Sequence, residues 1–161
     1  MTLFNKEQNV LITDSRNRLM HLCDLNGKIV SSINPDDCLK RPGGICIGTN
    51  KQGEEEIYVY DWLAETVFVF SRNFKLIKKI GEKLKFVNYI AIDSENKILY
   101  CSQTSDDVVS CWNVNNGKLT DKIKIELPFH LEISLKRIYI VSQTDHEYDW
   151  KRIGKKLEKL N

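Results

Sequence analysis

Asp145, His146, Glu147 and Asp149 place four possible metal ligands in one short stretch near the end of a 161-residue chain. Carboxylates and an imidazole so close together could converge on a cation from a single loop. The same residue types also describe an ordinary solvated loop. That is the reading adopted: metal none, cofactors none. The other histidines, His21 and His130, lie in no recognisable motif, and His21 alternates with Met20 and Leu22, which turns it toward solvent on a strand. There is no G-x-S-x-G, P-loop or dinucleotide fingerprint. The glycine-rich "RPGGICIG" runs into a strand, without the helix N-terminus whose amides would hold phosphate. Cys23, Cys38, Cys46, Cys101 and Cys111 are odd in number and form no C-x-x-C pair. They read as small buried hydrophobes in a reducing compartment rather than disulfides or zinc ligands. No catalytic residue is assigned.

A second group of residues suits recognition rather than catalysis. Arg16, Asn17, Arg18, Lys40 and Arg41 could meet phosphate or carboxylate, and Trp62, just after Asp61, could stack on a base or a peptide side chain. The alternative is that Trp62 covers the end of a core while the cations are solvated surface. For the six to act together, distant loops must share one rim.

The elements that could do this are legible in a repeat. Four apolar strands, "NVLITD", "IYVYD", "ILYCSQ" and "IYIVSQ", have Val10, Ile57, Ile98 and Ile138 in phase, separated by 47, 41 and 40 residues. A second strand follows three of them ("RLMHLCD", "TVFVFS", "VVSCWNV"), then a turn and a third strand ("LNGKIVSSI", "RNFKLIKKI", "NNGKLTDKIKI"). A short strand precedes each unit: "GICIG", "YIAID", "LEIS" and, at the start, "TLF". Asn26-Gly27 and Asn116-Gly117 predict type I′ hairpins, whereas Asn73-Phe74 predicts a different or looser turn. Val, Ile, Tyr and Phe dominate, and turn residues interrupt often, so a helical reading of these units fails. Four strands, named a to d from the inner to the outer edge, at a period near forty residues are the mark of a β-propeller blade. The fold class is all-β: a propeller arc of four-stranded antiparallel blades, three full and part of a fourth. The expected bounds are 1–40, 41–86, 87–127 and 128–161.

Composition agrees with one ordinary globular domain: 42% hydrophobic, 29% charged, net charge +2. Nothing in that charge argues for nucleic acid, so a basic surface must be local. The chain carries neither a membrane-length apolar run nor a secretory leader, and the expected location is cytoplasmic with no membrane contact.

These residues resemble the NHL-repeat propellers, whose pattern runs P-x-G-I-A-V-D, a gap, then I-Y-V-A-D-x-x-N-x-R-I-x-V-F. Pro42, Gly44, Ile45, Ile47, Ile57, Tyr58, Val59, Asp61, Val67, Val69 and Phe70 fall on it, while Ala64 and Thr66 replace Asn and Arg. "ITDSRNRLMHL" keeps Asp14, Asn17 and Arg18, one residue short, and "CSQTSDDVVSCW" puts Ser102 and Asp107 where Asp and Arg are usual. The resemblance extends to about Thr144 and implies a six-bladed ring. Either further blades or a homodimer would then close the ring, since an open arc exposes its terminal edges. After Thr144, Trp150, Ile153, Leu157 and Leu160 have helical spacing, set against the reading of an irregular b–c connection and an outer strand.

In tripartite-motif proteins such propellers bind RNA or protein. The resemblance therefore implies a non-catalytic scaffold recognising a protein or single-stranded RNA through its b–c and d–a loop face. The alternative is part of a propeller hydrolase or lyase, gluconolactonase-like or amidating-lyase-like, with a metal in the central channel. Asp93 and Glu132 are the only charges its inner strands offer.

Overall fold

The computed structural model describes residues 1–4, 8–134, 137–144, 147–149 and 155–156. It divides into two compact units, Met1–Leu84 and Lys85–Asn161. The first unit holds two antiparallel meanders, β1 to β4 (Thr2–Phe4, Asn9–Asp14, Leu19–Asp24, Ile29–Ile33) and β5 to β8 (Pro42–Thr49, Glu55–Asp61, Thr66–Ser71, Leu76–Ile80). Strict alternation sends Leu11 and Met20 of the first blade toward Ile45, Ile57, Val59, Phe68 and Phe70 of the second, and these pack with Phe4 and Leu39 into one core. "TLF" is indeed a paired strand, with Thr2 opposite Leu11.

The second unit holds β9 to β12 (Val87–Asp93, Ile98–Gln103, Val108–Asn113, Leu119–Lys124) and a fourth sheet. Its core joins Ala91, Tyr100, Val109 and Cys111 to Leu131, Ile138 and Ile140. In the fourth sheet β13 (Pro128–Ser134) pairs with β14 (Arg137–Thr144). Two short strands, β15 (Glu147–Asp149) and β16 (Lys155–Lys156), both pair with β14, one near each end. The described parts of the tail are thus strand, not helix. Trp150, Ile153, Leu157, Leu160 and the proposed ligands Asp145 and His146 lie outside the described residues. No α-helix occurs among the described residues, which show only single 3-10 turns at Pro35–Asp37 and Thr104–Asp106, and none is long and apolar enough to cross a membrane.

Three turn expectations are corrected. The Asn26-Gly27 hairpin is not type I′, which requires both residues at positive φ. Only Gly27 is there, at +82°, and Asp24 closes a three-residue loop by bonding to Gly27 and Lys28. The Asn73-Phe74 turn is the same turn, not a looser one: Phe74 takes φ +60° and Ser71 bonds to Phe74 and Lys75. Phe74 tolerates the left-handed conformation because its ring packs 5.8 Å from that of Phe4. The Asn116-Gly117 turn is not type I′ either: only Gly117 has positive φ, at +69°, and its loop is a residue longer, closed between Asn113 and Lys118.

Candidate functional site

The b–c turn of the first blade is built by one carboxylate. Asp14 ends β2 and accepts hydrogen bonds from the backbone N–H groups of Arg16 (3.0 Å) and Asn17 (2.9 Å) and from the Asn17 side-chain amide (2.7 Å). Asn17 is therefore a turn-forming residue, while Arg16 and Arg18 stand exposed. Arg18 closes the turn at φ +62°. Those bonds, led by the Asn17 backbone, hold the Asp14 carboxyl down to about 2.

Asp61 does more at the same place in the second blade. One of its oxygens accepts from Leu63 (3.0 Å) and Ala64 (2.9 Å) in its own turn, the other from Lys40 and Arg41, both at 2.8 Å, in the preceding d–a loop. It is fully buried, so one side chain ties two loops together. The Lys40 and Arg41 side chains point outward from this anchored backbone and are exposed.

Trp62 is half-buried. Its N–H bonds to the Arg41 carbonyl at 2.9 Å, its ring meets Tyr60 edge-on at 5.6 Å, and a Cβ added at Gly43 would collide with its indole. Gly43 is thus a seat for the ring, just past the end of β6.

The first blade joins the second through hydroxyls. Thr13 donates to the Gly43 carbonyl at 2.6 Å and Ser15 donates to the Pro42 carbonyl. The structure therefore brings Arg16, Asn17, Arg18, Lys40, Arg41 and Trp62 onto one end of the first unit. Leu63, 63% exposed beside Trp62, was missed from sequence, because its place in the turn depends on the Asp61 bonds.

The same clasp recurs in the second unit, where Ser102 donates to the Phe129 carbonyl (3.2 Å) and Thr104 to that of Pro128 (2.7 Å). This corrects the third-blade alignment. Ser102 holds the place of Thr13, and Gln103, which ends β10, holds the place of Asp14 and Asp61. All three b–c turns are four residues long, with Arg18, Glu65 and Asp107 in the left-handed position.

Elsewhere the candidate chemistry is engaged in structure. Asp93 is buried and caps its own a–b turn through Glu95, Asn96 and the Asn96 amide. Among the described residues no three His, Cys, Asp or Glu side chains are grouped to hold a metal. His21 is not simply solvent-facing: Nε2 lies 3.3 Å from Asp14 and Nδ1 2.8 Å from the Ser32 hydroxyl. Burial pushes the Cys38 and Cys46 thiols up, away from reactive thiolate. At the opposite end of the second blade, a cavity of about 610 Å³ is bordered by Asn50, Glu54, Glu56, Arg72 and Asn73. Glu56 is engaged there by the Tyr58 hydroxyl at 2.6 Å.

No protein-family model matches the chain, and no curated protein matches it in sequence. Solved structures do match. Hydrazine synthase of Kuenenia stuttgartiensis superposes with a TM-score of 0.70 at 15% identity over 91% of this chain and 42% of that one. The dihydro-heme d1 dehydrogenase NirN, in complex with DHE, gives 0.62 at 12% identity, over 87% and 32%. The nidogen/laminin complex gives 0.66 at 16%, over 88% and 54%. At such identities the likeness shows the fold alone, and the chain spans between about a third and a half of each matched chain. The fold is a β-propeller of four-stranded antiparallel blades, as the repeat predicts.

Proposed function

We propose that the chain is a non-catalytic, NHL-type binding scaffold whose b–c and d–a loop face takes single-stranded RNA. The observation that carries this reading is the seating of Trp62 on Gly43 among exposed Arg16, Arg18, Lys40 and Arg41. A ring held from beneath and from its edge loses little freedom when a base stacks on it, and such stacking contributes roughly 1–3 kcal/mol per base. The four cations stand on loops whose backbones are already hydrogen-bonded, so they present charge at fixed places along a strand of phosphates.

The test is a titration with single-stranded RNA at several salt concentrations. Trp62→Ala should weaken binding roughly 5- to 150-fold, the equivalent of one lost stack. Arg16→Ala/Arg18→Ala should weaken it and flatten the log–log salt slope by about 0.7 per phosphate contact removed. If both variants keep the fold and bind RNA as the parent does, or if the parent binds none, the RNA reading fails. An acidic peptide, held by the same cations with Leu63 as an apolar contact, then becomes the partner to test.

A further inference from the structure

The three fully described outer strands occupy the same place in their sheets but differ in how they treat water. β8 carries Lys78 and Lys79, and β12 carries Asp121, Lys122 and Lys124. Charges of this kind keep a sheet edge from pairing with another chain. β4 reads Ile29-Val30-Ser31-Ser32-Ile33, with no charge from Ile29 to Pro35. It lies at the edge of its sheet, paired with β3 on one side, and Ile29 and Val30 are 55% and 60% exposed. Each outer strand is bulged at the same point, where Val30, Ile77 and Thr120 are skipped in the pairing. The bulge therefore does not distinguish β4. Its lack of charge does.

We infer that β4 is a contact between two copies of this chain, joined edge to edge and antiparallel about a twofold axis. The strand is complementary to itself in that direction. With Ser31 on the axis, Ile29 lies opposite Ile33 of the second copy and Val30 opposite Ser32, so each branched side chain meets a neighbour it can accommodate. Lys28 precedes the strand, and Asp36 and Asp37 follow it, all three exposed. Antiparallel doubling brings Lys28 of each copy toward the two carboxylates of the other, whereas parallel pairing sets like charges side by side. The pairing extends one four-stranded sheet to eight strands and gives the open N–H and C=O groups of β4 their acceptors and donors. Among the three fully described outer strands only β4 offers an uncharged edge, so the association joins two copies and does not continue through the lysine-bearing edges of β8 and β12.

Sedimentation velocity of the full chain over a wide concentration range tests the contact. The parent should pass from one to twice the chain mass as concentration rises. Val30→Lys, placed on the exposed edge, should remain at the single mass, and Thr120→Lys, at the matching position of β12, should associate as the parent does. Ile29→Lys serves as a second edge variant, and circular dichroism confirms that each is folded. A parent that stays monomeric, a folded β4 variant that still doubles, or equal loss in Thr120→Lys would each overturn the assignment.

Discussion

Asp14 and Asp61 end equivalent strands of neighbouring blades, yet one holds a single turn and the other holds two loops. The difference predicts unequal consequences. Asp61→Ala leaves the N–H groups of Lys40, Arg41, Leu63 and Ala64 without their acceptor. It should cost about 2–4 kcal/mol in urea unfolding, since four part-buried N–H groups lose hydrogen bonds to a charged acceptor. Asp14 is better revealed by pH. Its folded value, about 2, lies below the ordinary 3.8, so its stabilising bonds are complete above the ordinary value and are lost as pH falls toward 2. The stability difference between the parent and Asp14→Asn should be largest near neutrality and close across that acid interval. A difference that stays constant down to the folded value would show that the carboxylate charge is not what holds the turn.

At the scale of elements, the blades of each unit are joined by apolar cores and by paired hydroxyl clasps. Thr13→Val and Thr104→Val keep shape but remove the donors to Gly43 and Pro128. Each should cost about 1 kcal/mol, and the two should add, because they act in different units on separate partners. Gly43→Ala tests another element junction. The new methyl would displace Trp62 from its seat, so the tryptophan emission should shift toward that of a solvated indole while the far-ultraviolet spectrum stays β-type. An unshifted spectrum would mean that the ring has another resting place.

At the scale of the whole molecule, protection should run from the middle strands outward. Ile57 to Asp61 of β6 and Leu99 to Gln103 of β10 are buried throughout, whereas β4 and β12 are largely exposed and β8 is exposed at Ile77 and Lys79. Hydrogen exchange at high dilution should therefore be slowest in β6 and β10 and fast in the outer strands. Raising the protein concentration should slow β4 while leaving β12 unchanged, as expected for a contact made by one edge. Uniform exchange across the strands of a blade would contradict this gradient.

The sequence by itself determined the blades, since a strand of alternating or wholly apolar residues between turn residues satisfies its backbone and buries its side chains in few ways. The return of such a strand at β2, β6, β10 and β14 repeated that solution four times. It also offered Arg16, Asn17, Arg18, Lys40, Arg41 and Trp62 as candidates, because cations in turns and a tryptophan after a strand end are visible as types and positions, whereas Leu63 was not. Only the tertiary structure decided what those residues do there. Asp61 reaches Lys40 and Arg41 across some twenty positions, Trp62 needs the missing side chain of Gly43, and Phe74 accepts a left-handed turn because Phe4 lies against it. These are contacts between segments far apart in the chain, so no local propensity encodes them. For the same reason Ser102 could be taken for the turn carboxylate's replacement, until its hydroxyl was found on the carbonyl of the next blade.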